Sequence, residues 1–139
     1  MIVERVESNG TPLWINALHP RAIIAESVSV ASGTVIMAGA VVNADATIGQ
    51  HVIINTGATV DHDCIIGDFA HIAPGVNLAG DVTVGAGAFL GIGSCVIPGC
   101  HIGAGAIIGA GATVIGDVAS GQTVVGTPAR PLSRMNGDG

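Results

Sequence analysis

Every sixth residue from Ile24 to Val114 is a branched aliphatic, an unbroken series of sixteen that begins Ile24, Val30, Ile36, Val42, Ile48 and Ile54. That period matches neither a helix nor the two-residue alternation of a simple strand. It does match a chain that lays down a short extended side, turns a tight corner and repeats. Two positions before the aliphatic lies a second inward residue that is always small, among them Ala40, Ala46, Ala58, Cys64, Ala70 and Ala88. Glycine often follows the aliphatic, as in Ile66-Gly67 and Ile102-Gly103, and suits corners because it tolerates unusual backbone angles.

Three such sides close a triangle. The expectation is therefore an all-β, single-domain solenoid with 18 residues per coil, the coils stacked at the strand spacing of about 4.8 Å. Residues 24–118 would make roughly five coils, about 25 Å tall at that spacing. Residues 1–23 then form a lead-in segment and 119–139 a C-terminal segment and tail. The scarcity of aromatic residues, 2% against 49% hydrophobic, agrees with a narrow prism in which a ring does not fit.

The net charge of −6, with no lysine and only Arg5, Arg21, Arg130 and Arg134 as cations, argues against nucleic acid as a partner. No apolar run approaches the roughly 18 residues of a membrane helix, and the N-terminus MIVERVESNG does not resemble a secretion signal. Cys64, Cys95 and Cys100 are odd in number and lack a CxxC spacing, so a reduced, cytoplasmic setting is expected.

With 18 residues per coil, positions 18 apart become vertical neighbours. One outward column reads Val35, Ile53, His71, Phe89 and Ile107. An apolar stripe of that length marks an interface. A corner column reads Glu26, Ala44, His62, Gly80, Pro98 and Gly116, taken here as the corner preceding that stripe. It sets Gly80 one floor above His62 and leaves open space beside the imidazole. The adjacent column stacks Asp45, Asp63 and Asp81 on successive floors, where like charges should disfavour full ionisation or splay apart.

The stretch TVDHDC, residues 59–64, therefore concentrates chemistry in a chain otherwise poor in charge. A histidine beside a carboxylate is suited to general-base work, the acid fixing the tautomer and stabilising the imidazolium. A lone corner histidine would more simply be solvated, but the cluster and the bare floor above it favour a reaction centre. His71 is open between a site residue and a packed interface residue. His19, His51 and His101 read as surface or packing. Cys64 and Cys100 fall at inward small positions and Cys95 on an outward face, so none is needed as a nucleophile.

The repeat resembles that of the hexapeptide-repeat acyltransferases, which implies a left-handed parallel β-helix assembled as a homotrimer. More narrowly, INTGATVDHDCIIGDFAHIAPG at 54–75, FLGIGSCVIPG at 89–99 and GTPAR at 126–130 resemble the sialic-acid O-acetyltransferase family, which includes nucleotide-sugar N-acetyltransferases. The resemblance implies an acetyl-CoA-dependent transferase working by direct transfer to an amino group of a nucleotide-linked amino sugar, with active sites at subunit interfaces. Transfer to a sialic-acid-type hydroxyl and a non-catalytic trimeric scaffold are the alternatives.

By the same resemblance His62 is the catalytic base and Asp63 its acidic partner, while Asn55 and Asp61 line the acceptor side. His71, Gly80, Ile92 and Ala110 match positions along acetyl-CoA. Relatives of this kind have glycine where Ala110 stands. Arg130 and Arg134 are candidates for the CoA phosphates, with solvated arginines as the alternative. No metal is expected, since zinc carbonic anhydrases of this fold place two histidines of one chain five residues apart and no pair here has that spacing. The resemblance also implies an N-terminal βαβ domain with a glycine-rich loop that these residues do not contain. Either the acceptor is gripped differently, another polypeptide supplies that domain, or the form is truncated.

Overall fold

The computed structural model describes residues 1–133; Arg134 and the expected tail at 136–139 lie outside the described residues. A short helix, Ile2–Glu7, precedes a parallel β-solenoid of about six turns. Nearly every strand is only two residues long, because the corner recurs before a third residue can extend the side. The strands fall into three sheets of eight, six and five, one for each side of the prism.

The register is the expected one. On the first side His71 pairs with Ile53 below and Phe89 above. On the second, Asn77 pairs with Thr59 and Cys95. On the third, Thr83 pairs with Ile65 and His101. The inward aliphatics from Ile36 to Val114 are no more than 3% exposed. Burying each side chain contributes about 1.5–3 kcal/mol, which makes this column the main source of stability. Ile24 and Val30 are only partly buried, since fewer coils cover them.

The inward small positions admit two polar residues. Thr34 is satisfied, its Oγ1 donating to the Gly49 carbonyl (2.8 Å) and accepting from the Val52 N–H (3.1 Å). Ser94 is fully buried and its hydroxyl has no partner among the described residues. The glycine after each aliphatic has a different reason from the one expected. At Gly67 a Cβ would lie 2.6 Å from the Ala86 nitrogen, so close approach of successive coils, not backbone angle, demands glycine there.

The solenoid extends beyond 24–118 at both ends. Ala17–Leu18 pairs with Val35–Ile36, so part of the lead-in segment is already coil. At the other end Ile102 bridges Val118 and Ile107 pairs with Thr123, each only 16 residues on. The corner at Ile115–Asp117 is thus two residues short. Val118 takes the place that an unbroken period would give Ser120, and Val124 becomes the last buried aliphatic. Arg130–Pro131 then folds back antiparallel on Thr123–Val125 and covers the last edge of the first side. Among the described residues, no helix is long and apolar enough to cross a membrane.

Candidate active site

Strand Thr59–Val60 ends the second side and delivers Asp61 into a corner that leads to Ile65–Ile66 on the third. His62 is therefore in the corner between the second and third sides, not in the one preceding the apolar first side. The sequence period identifies vertical neighbours correctly, but the order of the sides around the prism was misassigned at this corner.

His62 is held on several sides. Its Nδ1 lies 2.9 Å from Asp63 Oδ2. Its backbone N–H donates to Asp61 Oδ1 (2.8 Å), and its carbonyl accepts from the Asp81 N–H (2.9 Å). The ring packs against Gly80 on the floor above, where a Cβ would sit 2.5 Å from both Cε1 and Nε2. The bare floor is thus the seat of the imidazole itself. With Nδ1–H directed to Asp63, Nε2 carries the lone pair and has no hydrogen-bond partner among the described residues. The hydrogen bond that His62 donates to Asp63, followed by the charge of Asp61, raises the His62 pKa above the ordinary 6.5. The Asn43 amide and the His62 N–H in turn hold Asp61 below the usual carboxylate range.

The acid ladder has a backbone reason as well. Asp45, Asp63 and Asp81 occupy left-handed turn positions with φ of 63°, 59° and 62°. Asp tolerates that conformation better than most residues with a side chain. The Asp63 carboxylate turns to His62, and the Asp45 backbone N–H donates to the Ser27 hydroxyl below (2.9 Å).

Asn55 and His71 form a second cluster on the first side. The Asn55 carbonyl accepts from the Thr56 N–H (2.8 Å), which turns its amide nitrogen to His71 Nε2 (3.2 Å). Nε2 is therefore the acceptor and the proton is on Nδ1. Burial lowers the pKa of His71 and keeps it neutral, and its ring meets the edge of Phe89 at 5.2 Å. Within one chain the structure does not bring Asn55 and His71 to His62.

Gly80, Ile92 and Ala110 share a feature: each is the first turn residue of its corner, and its N–H donates to nothing among the described residues. Arg130 is not near this cluster. It lines a cavity of about 310 Å³ at the C-terminal end with Asp117 and Val118, and its guanidinium donates to the Ala129 carbonyl. Burial raises the pKa of Cys64 and Cys100, which keeps both thiols protonated and poor as nucleophiles.

Two features were not read from the sequence. A groove of about 470 Å³ runs up the second side past Asn43, Asp61, Thr59, Asn77, Ile97 and Pro98. At the corner leading into the first side, His51 stacks on Phe69 (centroids 5.2 Å) and meets Trp14 edge-on (4.6 Å), with its ring against Gly33. Trp14 Nε1 donates to Glu7 (3.1 Å), tying the helix to the stack. The 18-residue register could have shown His51 above Gly33 and below Phe69.

The family described as "Bacterial transferase hexapeptide (six repeats)" matches residues 45–80 and 81–116. The chain belongs to that hexapeptide-repeat transferase family. No significant match was found among curated proteins. Among solved structures, the hexapeptide chain resembles the acetyltransferase domain of PglB from Neisseria gonorrhoeae FA1090 in complex with acetyl coenzyme A. The TM-score is 0.89 at 40% identity, over 94% of this chain and 63% of that one. It also resembles PerB from Caulobacter crescentus in complex with CoA and GDP-perosamine, with TM-score 0.92 at 44% identity, over 95% and 64%. WeeI from Acinetobacter baumannii AYE follows at 0.87 and 31%, over 94% and 64%. The chain thus spans less than two thirds of each of these structures.

Proposed function

We propose that this hexapeptide protein is an acetyl-CoA-dependent N-acetyltransferase whose acceptor is the amino group of a nucleotide-linked amino sugar. The observation that carries the reading is the His62 imidazole, oriented by Asp63 at Nδ1 and packed against Gly80 with Nε2 free. The similar proteins point to the substrates, since one holds acetyl coenzyme A and another CoA with GDP-perosamine.

Nε2 of His62 takes a proton from the acceptor amine as the nitrogen attacks the thioester carbonyl, and CoA leaves as the thiolate without an acyl-enzyme. Asp63 holds the imidazole in the required tautomer and stabilises the imidazolium. The spare Gly80 N–H would steady the oxyanion. His71, kept neutral and donating from Nδ1, together with the N–H groups at Ile92 and Ala110, would line acetyl-CoA. Asn55 and Asp61 would face the acceptor. Arg130 at the coil end would reach the CoA phosphates. No metal takes part in this mechanism.

Because His62 and His71 stand on different sides of the prism, the reading calls for a homotrimer with sites between copies. The exposed Phe89 and Ile107 of the first side, 41% and 45% accessible, supply an apolar seam. An acceptor-binding domain, in this polypeptide or another, completes the grip on the nucleotide. The free cysteines fit the cytoplasm.

The test is CoA release from acetyl-CoA with a panel of nucleotide-linked amino sugars, GDP-perosamine among them. Turnover on one acceptor should fall at least about a hundredfold in His62→Ala. Acetyl-CoA binding without turnover on any acceptor would shift the reading to a chain that needs a further domain. No binding at all would leave a trimeric scaffold.

A further inference from the structure

Asp61 meets His62 through a single oxygen. Its Oδ1 accepts the His62 N–H at 2.8 Å and, from one coil below, the Asn43 amide at 2.9 Å. Oδ2 has no partner among the described residues. A carboxylate beside a solvent groove swings freely about its terminal torsion unless something holds it. The Asn43 amide supplies that hold, since Nδ2 can only donate and a carboxylate can only accept. The charge-assisted bond is of the stronger kind. The column Ala25, Asn43, Asp61, Ala79 has alanine on both outer floors, so no other side chain in it can do the same.

The consequence reaches the base. Asp61 stands where the second side ends, so the orientation of its carboxylate sets the tilt of the peptide that carries His62. Above, the Asp81 N–H holds the other side of the same residue. Three successive floors thus clamp the backbone from which the imidazole projects. We propose, on the transferase reading above, that Asn43 is a positioning residue for the His62 base, acting through Asp61. Asp61 Oδ2 then remains free to accept a hydrogen bond from a donor in the groove.

The charges facing His62 are Asp61, Asp63 and Asp81. Two measurements decide the matter. The first is kcat and KM for Asn43→Ala, Asp61→Ala and the double variant. Asn43→Ala should lower kcat roughly tenfold with the KM for acetyl-CoA unchanged. The loss should disappear in the Asp61→Ala background, because the two residues act as one unit. The second needs no turnover: NMR titration of the His62 ring. In Asn43→Ala the His62 pKa should move down toward the ordinary histidine value, since an unlatched Asp61 interacts with it less. In Asn43→Asp it should move up, since a carboxylate is added nearby. Equal losses with and without Asp61, or a His62 titration indifferent to both Asn43 variants, would overturn the proposal. If wild type neither binds acetyl-CoA nor turns over any acceptor while the ring titration responds as stated, the transferase reading fails and the Asn43–Asp61 coupling stands.

Discussion

Two corners of the solenoid pack an imidazole against a glycine, and they use it in opposite ways. At the corner between the second and third sides, His62 rests against Gly80 with carboxylates around it and its Nε2 free. At the corner leading into the first side, His51 rests against Gly33, closed between Trp14 and Phe69. The mounts differ: His51 takes a left-handed turn (φ 53°) above a glycine that is itself left-handed (φ 78°), whereas His62 has an ordinary negative φ and lies beneath its glycine. The neighbours differ too: acids and solvent suit one histidine to act as a base, on the proposed reading, and rings make a stacking element of the other. The lesson is that the chemistry of a hexapeptide corner is written in the residues one floor above and below.

The sharpest way to break the comparison is to exchange the losses. His62→Ala should cut kcat at least about a hundredfold, with denaturant stability unchanged to within about 0.5 kcal/mol. His51→Ala should leave kcat intact and cost about 2 kcal/mol in the same denaturation, since each ring pair adds about 0.5–1.5 kcal/mol beyond area burial. If His51→Ala impaired catalysis as His62→Ala does, the distinction would collapse.

Next come the glycine floors. Gly80→Ala puts a methyl into the ring of His62 and should reduce kcat by roughly ten- to a hundredfold, because small displacements of a base are costly. Gly33→Ala meets the ring of His51 and also forces alanine to a φ of 78°, so it should cost about 2 kcal/mol of stability without touching the chemistry. Steady-state kinetics and denaturation on the pair separate the two.

Asp63→Asn gives a subtler effect. The base works only when neutral, so the acid limb of kcat against pH follows the His62 pKa. Asp63 is the largest cause raising that pKa. Without it the limb moves to lower pH, and a limb that stayed put would dismiss Asp63 as the partner. The smallest effect is at Ser94, away from both corners. Removing its unpartnered buried hydroxyl in Ser94→Ala should leave stability equal or higher by about 1 kcal/mol in a thermal melt.

Much of this was legible in the primary structure, for a physical reason. Inward packing repeats strictly, so the spacing of Ile36 through Val114 reveals the core, and the 18-residue offset places Gly80 over His62. What the period cannot tell is where a corner side chain points. The Asn43 amide reaching up to Asp61, and Asp63 turning to His62 rather than to Asp45 or Asp81, depend on local torsions. Nor does an aspartate announce that its φ is positive, because it serves equally as a ligand and as a turn residue. The two-residue slip at Ile115–Asp117 was hidden because its cause is the pairing of Val118 with a strand a full coil away. In the sequence it is marked only by the lapse of the aliphatic series at Ser120.

The coil also acts as a combination dial. Each hexapeptide turns the chain by one side of the prism, so removing six residues between Asp63 and Ala79 would keep every aliphatic inward and every core contact plausible. All later floors would nevertheless be rotated by one face. Gly80 would leave His62, and a different corner residue would arrive above the imidazole. The core is indifferent to such a change and the reaction centre is not. Intact folding is therefore no guarantee of the right alignment, and on the proposed transferase reading the number of hexapeptides between His62 and the floor above it is itself a catalytic specification.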